Sequence, residues 1–156
     1  WCTCETIRLW TGDTMSAENS QQLTDPYTFT HITHGVLFYA LLRFLAPRWS
    51  IAARGLTAVA LESAWEVLEN TDMVIQRYRA MTMALGYYGD SVLNSIGDIG
   101  ACAVGFALAA RLPVKATVAL VVLLEAALTI AIRDSLLLNI IMLIHPFEAV
   151  KTWQLG

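Results

Sequence analysis

Three polar residues set at helical spacing into an apolar stretch constrain this chain more than any other feature of it. The run Gly86-Tyr87-Tyr88-Gly89-Asp90-Ser91-Val92-Leu93-Asn94-Ser95-Ile96-Gly97-Asp98 opens a long hydrophobic segment. Asp90, Asn94 and Asp98 recur every fourth residue, so at about 100° per residue they share a sector of roughly 80° on a helix. Acids inside a membrane helix are expensive, and such a stripe marks a functional site by default. Whatever the chain folds into must give that stripe partners.

The rest of the chain has the composition of a lipid-facing protein. Of its 156 residues, 56% are hydrophobic and 15% charged, with a mean hydropathy of +0.54; soluble domains average about 25% charged residues. This predicts one all-α, polytopic membrane helix bundle. A net charge of −3 and the absence of a dense Lys/Arg run exclude a nucleic-acid binder. The chain starts at Trp1, so an upstream segment such as a signal or first membrane helix is expected to be missing. Cys2 and Cys4 are too close for an unstrained disulfide. They suit a passive terminus better than a soft-metal or redox pair, and Cys102 reads as a small buried residue.

Turn-rich sequence over residues 1–28 predicts an extracytoplasmic loop, and residues 29–156 the bundle. About four spans follow, at 30–46 (ended by Pro47), 51–70, 90–112 (ended by Pro113) and 114–132, each near the 20 or so residues a bilayer requires. Residues 72–88 are too polar to cross and suit an interfacial loop or short surface helix. Leu136 to Ile144 is short for a span and reads as an interfacial helix, unless it continues to Trp153 as a fifth crossing. Arg48, Arg54, Arg111 and Lys115 place the 47–54 and 111–115 turns in the cytoplasm. The polar stripe then faces the non-cytoplasmic side.

On that topology the ionisable residues converge. His31 and His34 share a face of the first helix. Glu62, Glu66 and Glu69 occupy a sector of about 60° on the second, and Asp90, Asn94 and Asp98 descend the third. Gly97, Ala101, Gly105 and Ala109 form a small-residue row beside the stripe that lets a neighbouring backbone approach. Imidazole and carboxylate together are ligands for a divalent metal such as zinc, iron or manganese. His31, His34, Glu62, Glu69 and Asp90 are the expected ligands, with Glu66 or Asp98 as general base. Asn94, Arg77, Arg79, Arg133 and Asp134 are expected to bind substrate, the arginines holding a phosphate of a lipid-linked molecule. The same set also fits a metal-free binding cavity, or a structural network that locks helices together. Glu125, alone in the fourth helix, is expected to turn inward to a histidine or amide, and Trp65 to serve as an anchor or packing residue.

The motifs Glu18-Asn19-Ser20-Gln21, Asp25-Pro26-Tyr27-Thr28, His31-x-x-His34-Gly35, Glu62-Ser63-x-Trp65-Glu66-x-x-Glu69-Asn70, Arg77-Tyr78-Arg79, Gly86-Tyr87-Tyr88-Gly89-Asp90-Ser91-x-x-Asn94-Ser95 and Arg133-Asp134-Ser135 to Asn139-Ile140-Ile141-Met142-Leu143-Ile144-His145-Pro146 resemble an uncharacterised family of bacterial inner-membrane proteins across essentially the whole chain. The resemblance implies one more hydrophobic segment ahead of Trp1 and no particular activity. A more distant similarity is to the VanZ-like superfamily, with His34, Glu62 or Glu66, Asp90, Asn94 and the run from Gly97 through Gly105 as counterparts; it implies a small helical membrane bundle with a polar pocket. Three functions follow as expectations: a metal-dependent hydrolase or transferase on a lipid-linked or envelope substrate, a non-catalytic binder of a hydrophobic envelope molecule, and an accessory subunit docking on membrane-protein partners.

Overall fold

The computed structural model describes residues 6–156 and is all-helical there, with seven helices and no strand. Cys2 and Cys4 lie outside the described residues. The helices are α1 Thr28–Leu45, α2 Ile51–Glu69, α3 Asp72–Met81, α4 Val92–Arg111, α5 Val114–Ile132, α6 Leu136–Ile144 and α7 Glu148–Leu155. Serine caps start three of them. Ser50 Oγ accepts from Ala53 N at 3.1 Å, Ser91 Oγ from Asn94 N at 3.1 Å, and Ser135 Oγ from Leu138 N at 3.4 Å, each satisfying one orphan amide of a first turn. Pro47 follows the end of α1, and Pro113 separates α4 from α5, where a missing N–H would break a helix interior. His145-Pro146 ends α6 and gives a separate α7, so no single helix runs from Leu136 to Trp153.

α4 and α5 are the two described helices long and apolar enough to cross a membrane. α5 has only 6% of its best window buried, leaving its side chains outward as a lipid-facing helix would. α1 and α2 have the length, at 18 and 19 residues, but not the hydropathy. His31, His34 and several threonines dilute α1, and Arg54, Glu62, Glu66 and Glu69 dilute α2. Residues of the site are thus among those that lower the hydropathy of α1 and α2.

The α1–α4 pair is the centre of the packing. A Cβ added to Gly35 would stand 2.0 Å from the Cys102 carbonyl oxygen, and one added to Gly105 2.0 Å from that of Ile32. Backbones meet there, as the small-residue row predicts. Cys102, Ala101 and Ala109 are buried in the same seam. Below it, Leu42, Ala58 and Phe106 form the buried apolar cluster with Phe38 and Tyr39 against it, and the Arg54 guanidinium lies 6.0 Å from the Tyr39 ring centroid.

Residues 6–27 fold over the α4 N-terminus and are built in by side-chain bonds to backbone. Ser91 N donates to Ser20 O at 2.8 Å and Ser91 Oγ to Gln21 O at 2.8 Å. Asn94 Nδ2 donates to Gln22 O and Gln22 Nε2 to Thr6 O, both at 3.0 Å. Asp25 accepts from the amides of Ser20, Tyr27 and Thr28, which shapes the turn into α1. The Leu23 carbonyl meets α4 at Gly97. On the other side, α3, α6 and α7 close the structure: Lys151 Nζ of α7 donates to Ala80 O of α3 at 2.8 Å.

Candidate functional site

Where α1, α2 and α4 face one another, their polar stripes meet. His31 Nδ1 makes a short contact with Glu62 Oε1, and His34 Nδ1 lies 3.1 Å from both Glu62 oxygens. Glu66 Oε1 is 3.5 Å from His31 Nδ1, and Asp98 Oδ2 is 3.8 Å from His31 Nε2. The two imidazoles stand edge to face, 5.0 Å apart. Glu62 is 0% and Asp98 2% exposed. His31 is therefore the hinge of the arrangement, with a carboxylate near each ring nitrogen.

Two sets of side chains come close enough to hold a cation: His31, His34 and Glu62, and His31, Glu66 and Asp98. They differ in how well they are satisfied. Glu62 is met by both histidines. Both Glu66 oxygens and Asp98 Oδ1 are buried without a hydrogen-bond partner; Ser95 and Thr28 bring hydroxyls near them without reaching hydrogen-bond geometry. Buried carboxylates normally have donors or a cation. Three of them around two histidines, with no Lys or Arg in either set, require neutralisation by protons or by a metal.

Above the cluster is a cavity of about 420 Å³. His31, His34 and Asp98 line its floor, Trp65, Tyr78 and Tyr87 part of its wall, and α6 contributes Leu136, Ile140 and Leu143. Glu69 and Asp90 line it as well, apart from the two cation-holding sets. Glu69 lies beside Tyr78 and Trp65 in the cavity wall. Asp90 Oδ2 accepts from Tyr87 OH at 3.0 Å and Asn70 Nδ2 at 3.4 Å, and Asp90 N donates to Asn70 Oδ1. Asn94 also reaches the cavity, with its amide already given to Gln22 O.

None of the other expected substrate contacts lines the cavity. Arg77 Nε donates to Leu143 O at 2.9 Å, Arg79 Nε to Tyr87 O, and Arg133 Nη1 to Trp153 O at 3.1 Å. Each guanidinium ties helices or loops together at a backbone carbonyl. Asp134 is a buried hub: it accepts from Tyr27 OH at 3.1 Å, Ser135 N at 2.9 Å, Asn139 Nδ2 at 3.0 Å and Gln154 Nε2 at 3.1 Å. Burial raises its carboxyl from the ordinary 3.8 to about 6 against those four donors, because desolvation disfavours the ionised form. Asp25 is raised for the same reason. Glu125 meets an amide, as expected: its Oε2 accepts from Leu137 N at 3.0 Å, at the first turn of α6.

Residues 1–156, the whole chain, match the family described as "Protein of unknown function (DUF2585)". The chain belongs to that family. Relatives named UPF0314 protein include one from Paracoccus denitrificans, 56% identical and covering 98% of this chain and 79% of the relative. One from Brucella anthropi is 49% identical, covering 99% and 79%, and one from Rhizobium meliloti is 52% identical, also covering 99% and 79%. No solved structure matches the chain.

The DUF2585 chain also carries site residues that its sequence did not flag. Tyr27, Trp65, Tyr78 and Tyr87 line the cavity. Trp65 was detectable, because it lies four residues before Glu69 and so beside it on α2. Asn19 was not: it comes from the loop of residues 6–27, whose course depends on contacts with residues 88–97.

Proposed function

We propose that this DUF2585 protein is a multi-pass protein of the bacterial inner membrane, with α1, α2, α4 and α5 crossing the bilayer and the cluster toward the periplasm. In this reading it is a metal-dependent hydrolase or transferase acting on a lipid-linked or envelope substrate that enters the cavity. One observation carries it: Glu66 and Asp98 present buried, unpartnered carboxylate oxygens beside His31, and His31 and Asp98 line the floor of a cavity with an apolar wall. A divalent zinc, iron or manganese ion held by His31, Glu66 and Asp98 would satisfy them. When bound it would lower the pKa of a coordinated water toward neutrality.

The residue roles follow from the hydrogen bonding and differ from the order expected from sequence. Glu62 acts through His31: it accepts at Nδ1, fixing the ring so that Nε2 is presented toward Asp98, the usual task of a carboxylate behind a ligating histidine. His34 supports Glu62 from the other side. Glu66 and Asp98 are ligands rather than the general base. The apolar residues of α6 exclude water from one side of the cavity.

A second reading is a metal-free cavity that binds a hydrophobic envelope molecule. The closed His31–Glu62–His34 contacts favour it, since that half of the cluster needs no cation. Elemental mass spectrometry on untagged, detergent-purified protein decides between them. About one equivalent of zinc, iron or manganese, lost in His31→Ala/His34→Ala, supports the metal site; background metal after reconstitution under reducing conditions rejects it.

A further inference from the structure

We infer that the cavity is the binding site for an amphiphile that carries a protonated amine beside an apolar body. This names the substrate class of the site just proposed, and rests on that reading for the membrane setting.

The charge of the cavity wall is one-sided. Glu69, Asp90 and Asp98 line it, and no lysine or arginine does. With Glu62 and Glu66 beneath, five carboxyl groups surround one space whose lining holds no ammonium or guanidinium to pair with them. An anionic head such as a phosphate would meet like charge at close range in a poorly solvated site, which is strongly unfavourable. An ammonium would be drawn in.

The unpaired groups point the same way. Asp98 is 2% exposed and lines the cavity with Oδ1 unpartnered. Asn19 Oδ1, in another residue of the lining, is also buried and unpartnered. Both are acceptors, and a ligand that completes them must donate. An ammonium offers three N–H donors and no acceptor.

The wall between is aromatic. Trp65 packs edge-on against His34 at 6.3 Å, and Tyr78 against Tyr87 at 5.4 Å. Aromatic faces beside carboxylates are a recurrent means of holding alkylammonium groups, through the attraction of a cation to the ring quadrupole. Leu136, Ile140 and Leu143 of α6, with Leu85, give the apolar body a place to lie. Ile140 is partly exposed, so this side opens outward and suits a chain arriving from lipid.

The test is calorimetric titration of the detergent-solubilised protein with octylamine, octyl phosphate, octanol and ethylamine. It is run on chelator-stripped and metal-reloaded samples whose metal content is measured in parallel. Octylamine should bind saturably and at least about tenfold more tightly than octyl phosphate or octanol in both samples. Ethylamine should bind more weakly than octylamine, and equal binding by the two amines overturns the amphiphilic part of the inference. The Glu69→Gln/Asp90→Asn variant should lose about tenfold in octylamine affinity. Octyl phosphate or octanol binding as tightly as octylamine overturns the inference. So does full octylamine affinity in a folded double variant; if that variant does not fold, the wild-type series decides alone. Metal binding without amine preference rejects this inference and leaves the metal site standing. Amine preference without metal does the reverse.

Discussion

Gly105 of α4 and Ile32 of α1 are in backbone contact: a Cβ on the glycine would stand 2.0 Å from the Ile32 carbonyl oxygen. No side chain can yield there, because the obstacle is main chain. Gly105→Ala must push α1 away from α4 along the seam that sets the His31–Asp98 separation. The expected cost is about 3 kcal/mol, at the upper end for overpacking, with reduced yield of folded protein. Gly100→Ala on the same helix meets nothing within 4 Å and should stabilise by roughly 0.5–1 kcal/mol through helix propensity. Thermal unfolding of the two variants in one detergent checks the contrast.

Glu66→Gln separates the metal reading from a structural one. The wild-type carboxylate is buried with neither oxygen satisfied, so in stripped protein the neutral amide should fold at least as stably. Metal loading should raise the unfolding temperature of wild type and leave that of Glu66→Gln unchanged, because binding to the folded state alone stabilises it. A large loss of stability in stripped Glu66→Gln would show instead that the carboxylate is paired in the folded protein.

The Asp134 hub gives a pH dependence with a definite sign. Its folded carboxyl, at about 6, holds a proton more tightly than the ordinary value of 3.8 in the unfolded chain. Between those limits the native state binds more protons, so this group's contribution to stability is complete below 3.8 and is lost as pH rises through 6. The loss amounts to about 3 kcal/mol. Unfolding followed from pH 4 to 7 should show that decline, and Asp134→Asn should flatten it. Asp134→Ala strands the donors of Tyr27, Asn139 and Gln154 and should cost about 3 kcal/mol at pH 4, a difference that narrows as pH rises through 6.

Glu125 caps a helix on a different part of the chain. Its contact with Leu137 N places a negative charge at the first turn of α6, where it opposes the exposed amides. Glu125→Ala should cost about 1 kcal/mol. The effect should be local, appearing as faster amide exchange across α6 with little change in α4.

Much of the helical frame was readable from sequence because its signals are local. Pro47 and Pro113 act on residues one to four positions away, and the Gly97–Ala109 row shows as a spacing of four along one helix. The histidines and Glu62, Glu66 and Asp98 declared themselves because charge in an apolar helix demands company. The cover over them did not. Gln22 is fully buried in a segment that reads as a polar loop, since its bonds to Arg8 and Asn94 depend on how distant pieces meet. The arginines and Asp134 carried the right charge for a ligand. Nothing local indicated that their partners are Leu143, Tyr87, Trp153 and Gln154.

The bonds from Gln21 and Gln22 to Ser91 and Asn94 also set an order of assembly. The segment of residues 6–27 cannot take its final place until residue 94 has left the ribosome. During that interval α1 and α2 have emerged with their histidines and glutamates and no cover. Only the arrival of α4 supplies both the third wall of the site and the anchor for its lid. A nascent chain stalled before residue 94 would therefore expose the cluster to water and protease, and one stalled after α4 would not.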